Sequence, residues 1–165
     1  MKEFWVSTQT EKFDSLFDDS LKVLEMCRTC KRYGTKATCP PYIEKDYKYI
    51  LKQFRICLCM YEKFTCKNLD DWEIIGKESS LVIHDAVKSK VHQLREEGYY
   101  FVVGFGAGSC KLCSTCSFPC SRPDESLIPL EATGVNVCKL MEIVGVKLKF
   151  PVKNEFYRIG AVFYD

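Results

Sequence analysis

Between residues 15 and 28, the apolar positions Leu16, Leu21, Leu24 and Met26 recur at roughly helical intervals, and Asp18, Asp19 and Ser20 suit the start of helical turns. A helix over 15–28 is predicted, with Cys27 in its last turn. From 43 to 53, Ile43, Tyr47, Ile50 and Leu51 form one apolar stripe among Glu44, Lys45, Asp46 and Lys48. With Pro40 and Pro41 just ahead, this predicts a short amphipathic helix. The period then changes. In residues 55–62, Ile56, Leu58 and Met60 alternate with Arg55, Cys57, Cys59 and Tyr61, the two-residue repeat of a strand.

The longest helical pattern covers 78–97, with Leu81, Val82, Ala86, Val91 and Leu94 inward and Gly98 as its stop. Residues 99–105, YYFVVGF, are rich in aromatic and β-branched side chains and predict a central strand, with Tyr99, Tyr100 and Phe101 packed in the core. A cysteine-dense loop follows, then a short helix over 136–144 and a final strand over 155–164. This order predicts an α/β fold: a compact sandwich of a small β-sheet with helices, carrying two cysteine-rich loops. No repeat, low-complexity tract or linker divides the chain, so 1–165 reads as one cysteine-rich metal-binding domain.

A chain of 165 residues with 47% hydrophobic side chains can bury a sizeable core. Its 24 basic and 22 acidic residues are mixed along the length, and a net charge of +2 makes nucleic acid or anionic lipid an unexpected partner. The opening MKEFWVSTQTEKFDSLF lacks the basic start and apolar core of a secretory signal, and no stretch approaches a membrane span. The expectation is a cytoplasmic protein with reduced thiols. Eleven cysteines cannot all pair with one another, and in a reducing compartment their clustering argues for metal rather than disulfides.

Two clusters carry that chemistry. The second, Cys110-x2-Cys113-x2-Cys116-x3-Cys120, has the spacing with which bacterial ferredoxins wrap a 4Fe-4S cluster. In those proteins the cysteine after the three-residue gap serves the other cluster, and proline follows it; here Pro119 precedes Cys120. Cys120 can close its own cluster or serve elsewhere. The first cluster, Cys27-x2-Cys30-x8-Cys39, offers three thiolates where a closed zinc or iron-sulfur site takes four. On the ferredoxin analogy Cys120 is the economical fourth, leaving Cys110, Cys113 and Cys116 with Cys138 as a candidate completion. Without Cys138, one iron stays open to water or substrate.

Arg28, Lys31, Arg32, Lys111 and Arg122 lie within two residues of these cysteines and suit an anionic cluster, and Gly104, Gly106 and Gly108 would let amides approach its sulfur. Zinc is the alternative occupant. Cys57, Cys59 and Cys66 read as buried core thiols, and His84 and His92 as solvated helix residues without a role. Glu131, after the second loop, either lines the site or starts a helix.

The runs Cys27-x2-Cys30-x2-Tyr33-Gly34-x4-Cys39-Pro40-Pro41-Tyr42 and CKLCSTCSFPCSRPD, with Pro129-Leu-Glu131-Ala132-Thr-Gly134, resemble the predicted metal-binding protein family known as domain of unknown function 2284. The likeness spans roughly 27–140. Leu130 and Asn136 depart from the pattern, and Cys138 lies outside it. The resemblance implies metal binding through the seven motif cysteines, with iron-sulfur the expected form.

The function expected from these readings is a cytoplasmic iron-sulfur protein in electron transfer or redox chemistry, with a redox protein or small molecule as its partner. An iron-sulfur enzyme with an open cluster iron and a zinc-stapled interaction module are the alternatives.

Overall fold

The structure, a computed structural model, describes residues 1–43, 45–150, 152 and 154–165. Its elements are β1 (Lys2–Ser7), α1 (Glu11–Asp14), α2 (Ser20–Arg28), α3 (Tyr47–Leu51), β2 (Ile56–Thr65), α4 (Trp72–Glu96), β3 (Val102–Gly106), β4 (Ile128–Pro129), α5 (Val137–Ile143) and β5 (Glu155–Tyr164). Single 3-10 turns occupy Ser15–Phe17, Leu69–Asp71 and Leu130–Thr133.

The five strands form one sheet in the order β1-β2-β5-β3-β4, antiparallel throughout except for the short parallel pairing of β3 with β4. α4 covers one face. Its Ile83, Val87, Val91 and Leu94 pack on Leu58, Met60, Val162 and Tyr164. The opposite face carries Cys57, Cys59, Phe105, Ala161 and Phe163 beneath Phe13, Leu16, Leu51, Leu130 and Leu140. The expected α/β sandwich is therefore present, and β2 and β5 are buried on both sides. In β2 the alternation sorts one core from the other rather than core from solvent, because both faces of the sheet are covered.

Several local expectations are corrected. The helix expected over 15–28 is split at Asp18 and Asp19: Leu16 is buried in the 3-10 turn, whereas α2 has no buried residue and leaves Leu21 and Met26 exposed. The helix expected over 43–53 is confined to Tyr47–Leu51, with the Asp46 side chain accepting from the Tyr49 N–H; Glu44 lies outside the described residues. α4 begins at Trp72, six positions before the predicted start, and turns Ile83 and Val87 inward while Val82 is 46% exposed. Tyr100 and Phe101 precede β3 and are 91% and 74% exposed, so they are not core residues. β1 is an edge strand with only Val6 buried, a pattern too weak to read as a strand from sequence.

The contact between α4 and the sheet depends on glycine. A Cβ at Gly160 would stand 2.8 Å from methyl carbons of Ile83 and Val87 and 2.9 Å from the Phe105 carbonyl oxygen. Gly160→Val is expected to cost roughly 1–3 kcal/mol through overpacking. The check is the denaturant midpoint, and an unchanged midpoint would show that α4 has room to lift. Among the described residues, no helix is long and apolar enough to cross a membrane.

Candidate metal centre

The cysteine loops meet beyond the end of β3, beside the first half of α4. α2 delivers Cys27 in its last turn. The chain then descends through successive turns: the Cys30 N–H donates to the Cys27 carbonyl at 3.1 Å, and the Gly34 N–H to the Pro40 carbonyl at 3.0 Å. Cys39 ends this descent buried, while Cys30 stays exposed at the rim. In the second loop, all four thiols are half-buried.

The seven motif cysteines divide around two hollows. Cys110, Cys113, Cys116 and Cys120 line one of about 20 Å³, closed on its other side by Lys36, Ala37 and Thr38 of the first loop. Cys27, Cys30 and Cys39 line a wider cleft of about 300 Å³, with Arg32, Glu131 and Met26 on its walls. Cys120 thus sits with its neighbours in sequence and not with the first cluster. This corrects the ferredoxin-based assignment, since a three-residue gap on one loop keeps its thiol local unless the chain leads away. Cys138 is exposed on α5 and lines neither hollow, so it completes neither group. Cys57, Cys59 and Cys66 are buried, as expected.

Backbone amides reach sulfur from the first loop, not from the glycines of β3. The Ala37 N–H donates to the Cys116 sulfur at 3.3 Å, and the Arg32 N–H to the Cys30 sulfur at 3.4 Å. Gly104 instead makes room for Val87 and Val91 of α4, and Gly106 for Leu127. Gly108 adopts a left-handed φ of 68° at the cleft wall, a conformation that side chains disfavour.

Positive charge collects beside the thiols. Burial pushes the Lys111 ammonium down in pKa, and Arg32, Lys36 and Arg158 push it further the same way. The Arg122 guanidinium reaches Cys113 as well as its ion-pair partner Glu125 and the Leu112 carbonyl. Arg158, on β5, is held by the Gly76 carbonyl at 3.2 Å, the Ser79 hydroxyl at 3.1 Å and the Phe156 ring at 5.2 Å.

The first group has the opposite character. Burial raises Cys39 to about 12, with Glu131, Cys30 and Cys27 adding to the rise, and raises Cys27 with help from Glu131 and Cys30. Burial also raises the Glu131 carboxyl, opposed by the N–H groups of Glu131 and Gly108 and by Arg158. An ionised Glu131 therefore disfavours the Cys27 and Cys39 thiolates.

A metal that selects soft donors fits this chemistry. Among the described residues, no three His, Cys, Asp or Glu side chains converge as ligands of a single ion. A lone zinc needs sulfur about 2.3 Å from one point, whereas the corners of a cubane hold their thiolates further apart. Thr38 lines the four-cysteine hollow, and its buried hydroxyl opposes the rise of the Cys39 thiol.

Two residues on α4 do work that the sequence did not signal. His84 is not a freely solvated side chain: its Nε2 lies 2.8 Å from the Glu125 carbonyl and its Nδ1 3.0 Å from Asp85. Lys88 donates to the Asp124 carbonyl. Together they tie the exit of the second cysteine loop to the helix. His92 is exposed and lies beside Glu96, as expected of a solvated helix residue.

A family model described as "Predicted metal-binding protein (DUF2284)" matches residues 17–164. No curated protein and no solved structure matches the chain.

Proposed function

We propose, from the premise that this chain belongs to the DUF2284 family of predicted metal-binding proteins, that it is a cytoplasmic iron-sulfur protein that carries electrons. Cys110, Cys113, Cys116 and Cys120 would hold a 4Fe-4S cluster through four thiolates. Cys27, Cys30 and Cys39 would hold a second cluster. The observation that carries the reading is the division of seven thiols into four and three around adjacent hollows.

The surroundings suit such clusters. Thiolate-bound clusters are anionic, and their potentials respond to hydrogen bonds at sulfur, nearby charge and solvent exposure. The Ala37 and Arg32 amides and the Lys111 and Arg122 side chains supply the first two. Bound clusters supply reversible one-electron chemistry; the chain's part is to hold them and set their potential.

The wide cleft favours a second reading, an enzyme whose three-thiolate cluster meets a small molecule there. In the electron-transfer reading the same cleft marks the more exposed cluster and the exit toward a redox partner.

Protein purified without oxygen is expected to contain about eight irons and as much acid-labile sulfide per chain. Reversible bleaching on reduction should accompany them. One or two zincs with no sulfide would overturn the iron-sulfur reading and leave a zinc-stapled interaction module.

A further inference from the structure

We infer that Glu131 is the fourth protein ligand of the Cys27, Cys30 and Cys39 site, making it a centre of three thiolates and one carboxylate. The inference rests on the metal reading above. It begins from a shortage: three thiols line the cleft, and both Cys120 and Cys138 lie elsewhere among the described residues. Glu131 lines the same cleft as Cys27, Cys30 and Cys39.

The carboxylate is also rigidly mounted; the Glu131 and Gly108 N–H groups donate to it, but no cation forms an ion pair with it among the described residues. Its 3-10 turn, Leu130–Thr133, is anchored by buried Leu130, Ala132 and Thr133, and the Thr133 hydroxyl donates to the Leu130 carbonyl at 2.6 Å. Arg158 acts on it through space, its Nε and Nη2 donating to Ser79 and Gly76 instead. A half-buried carboxylate beside three thiols is a costly arrangement unless a cation joins it. A metal corner supplies that cation. Carboxylate oxygen is a harder donor than thiolate and holds iron less firmly, so this corner would exchange first, on the side that faces the cleft.

The test uses the full chain, loaded without oxygen, in four forms: wild type, Glu131→Gln, Glu131→Cys and Cys39→Ser. Iron and sulfide per chain, the electron paramagnetic resonance of the reduced protein and the rate of iron loss to a chelator are measured. Glu131→Gln keeps the shape and removes the anionic donor, and is expected to speed iron loss from one cluster by about ten-fold or more. Glu131→Cys should restore the iron count while changing that cluster's resonance. Wild-type spectrum and loss rate in Glu131→Gln, with iron lost in Cys39→Ser, would overturn this inference alone. No effect of Cys39→Ser would overturn the site itself. Should Glu131→Gln unfold, Glu131→Cys decides: a restored count with an altered resonance supports ligation, and a count that stays reduced overturns it.

Discussion

Cys116→Ser and Cys120→Ser are expected to lose the same cluster, and the protein left behind should have the same spectrum in both cases. Each change removes a thiolate from the hollow that the two residues share with Cys110 and Cys113. Removing one thiolate from this four-cysteine set is expected to release the cluster, so about four irons and their sulfide should leave with either thiol. The double variant should lose no more than either single one, because residues that act as a unit are not additive. Cys39→Ser should produce the complementary loss, from the cleft that Cys39 shares with Cys27 and Cys30. Cys66→Ser and Cys138→Ser should keep the full iron count, because these thiols line neither hollow. Metal analysis and visible spectra of the five single variants and the double variant make the check. Were Cys120→Ser to match Cys39→Ser instead of Cys116→Ser, the two loops would exchange a ligand as paired ferredoxin clusters do, and the four-plus-three division would fail.

Stability should fall steeply in alkali for a reason remote from the clusters. Burial pushes the Cys59 thiol from 9.0 up to about 12, and pushes Cys57 well above its ordinary value, with Cys59 adding to the rise. Folded, both stay protonated past the point where an unfolded thiol ionises. The folded state then binds more protons than the unfolded one. The stabilisation is therefore complete below about pH 9 and is lost as pH rises through the window up to about 12. Both thiols act in the same direction, and the loss falls on a marginal total stability. Tyr47, raised by burial as well, adds to the same trend. Urea midpoints of the loaded protein between pH 7 and 11 should fall, and the fall should be shallower in a Cys57→Ala, Cys59→Val double variant even if its neutral stability is lower. An equal slope in both proteins would assign the alkaline loss to other groups.

The sequence was most informative where structure is local. The alternation in 55–62, the strand-forming run in 155–164, the helical repeat through Val91 and Leu94, and the cysteine spacings each depend on neighbours a few positions apart. They led to these elements and marked the seven thiols that line the two hollows. Boundaries fared worse: α4 starts at Trp72 rather than 78 because packing of its first turns around Gly76, Ser79 and Arg158 extends it beyond the apolar repeat. Small and polar residues line that contact, and an apolar pattern cannot announce them.

What the sequence by itself determined is therefore the inventory: an α/β chain, a two-period pattern of helices and strands, and cysteine runs with metal-ligand spacing. Only the tertiary structure decided the company each residue keeps. It grouped Cys120 with Cys110, Cys113 and Cys116, brought Ala37 to the Cys116 sulfur across 79 positions, set Glu131 among Cys27, Cys30 and Cys39, and aimed His84 at the second loop. Spacing along a chain limits how far one loop reaches. Which loops meet is set by the sheet and helices that carry them, through burial of side chains distant in sequence, and no local period encodes that.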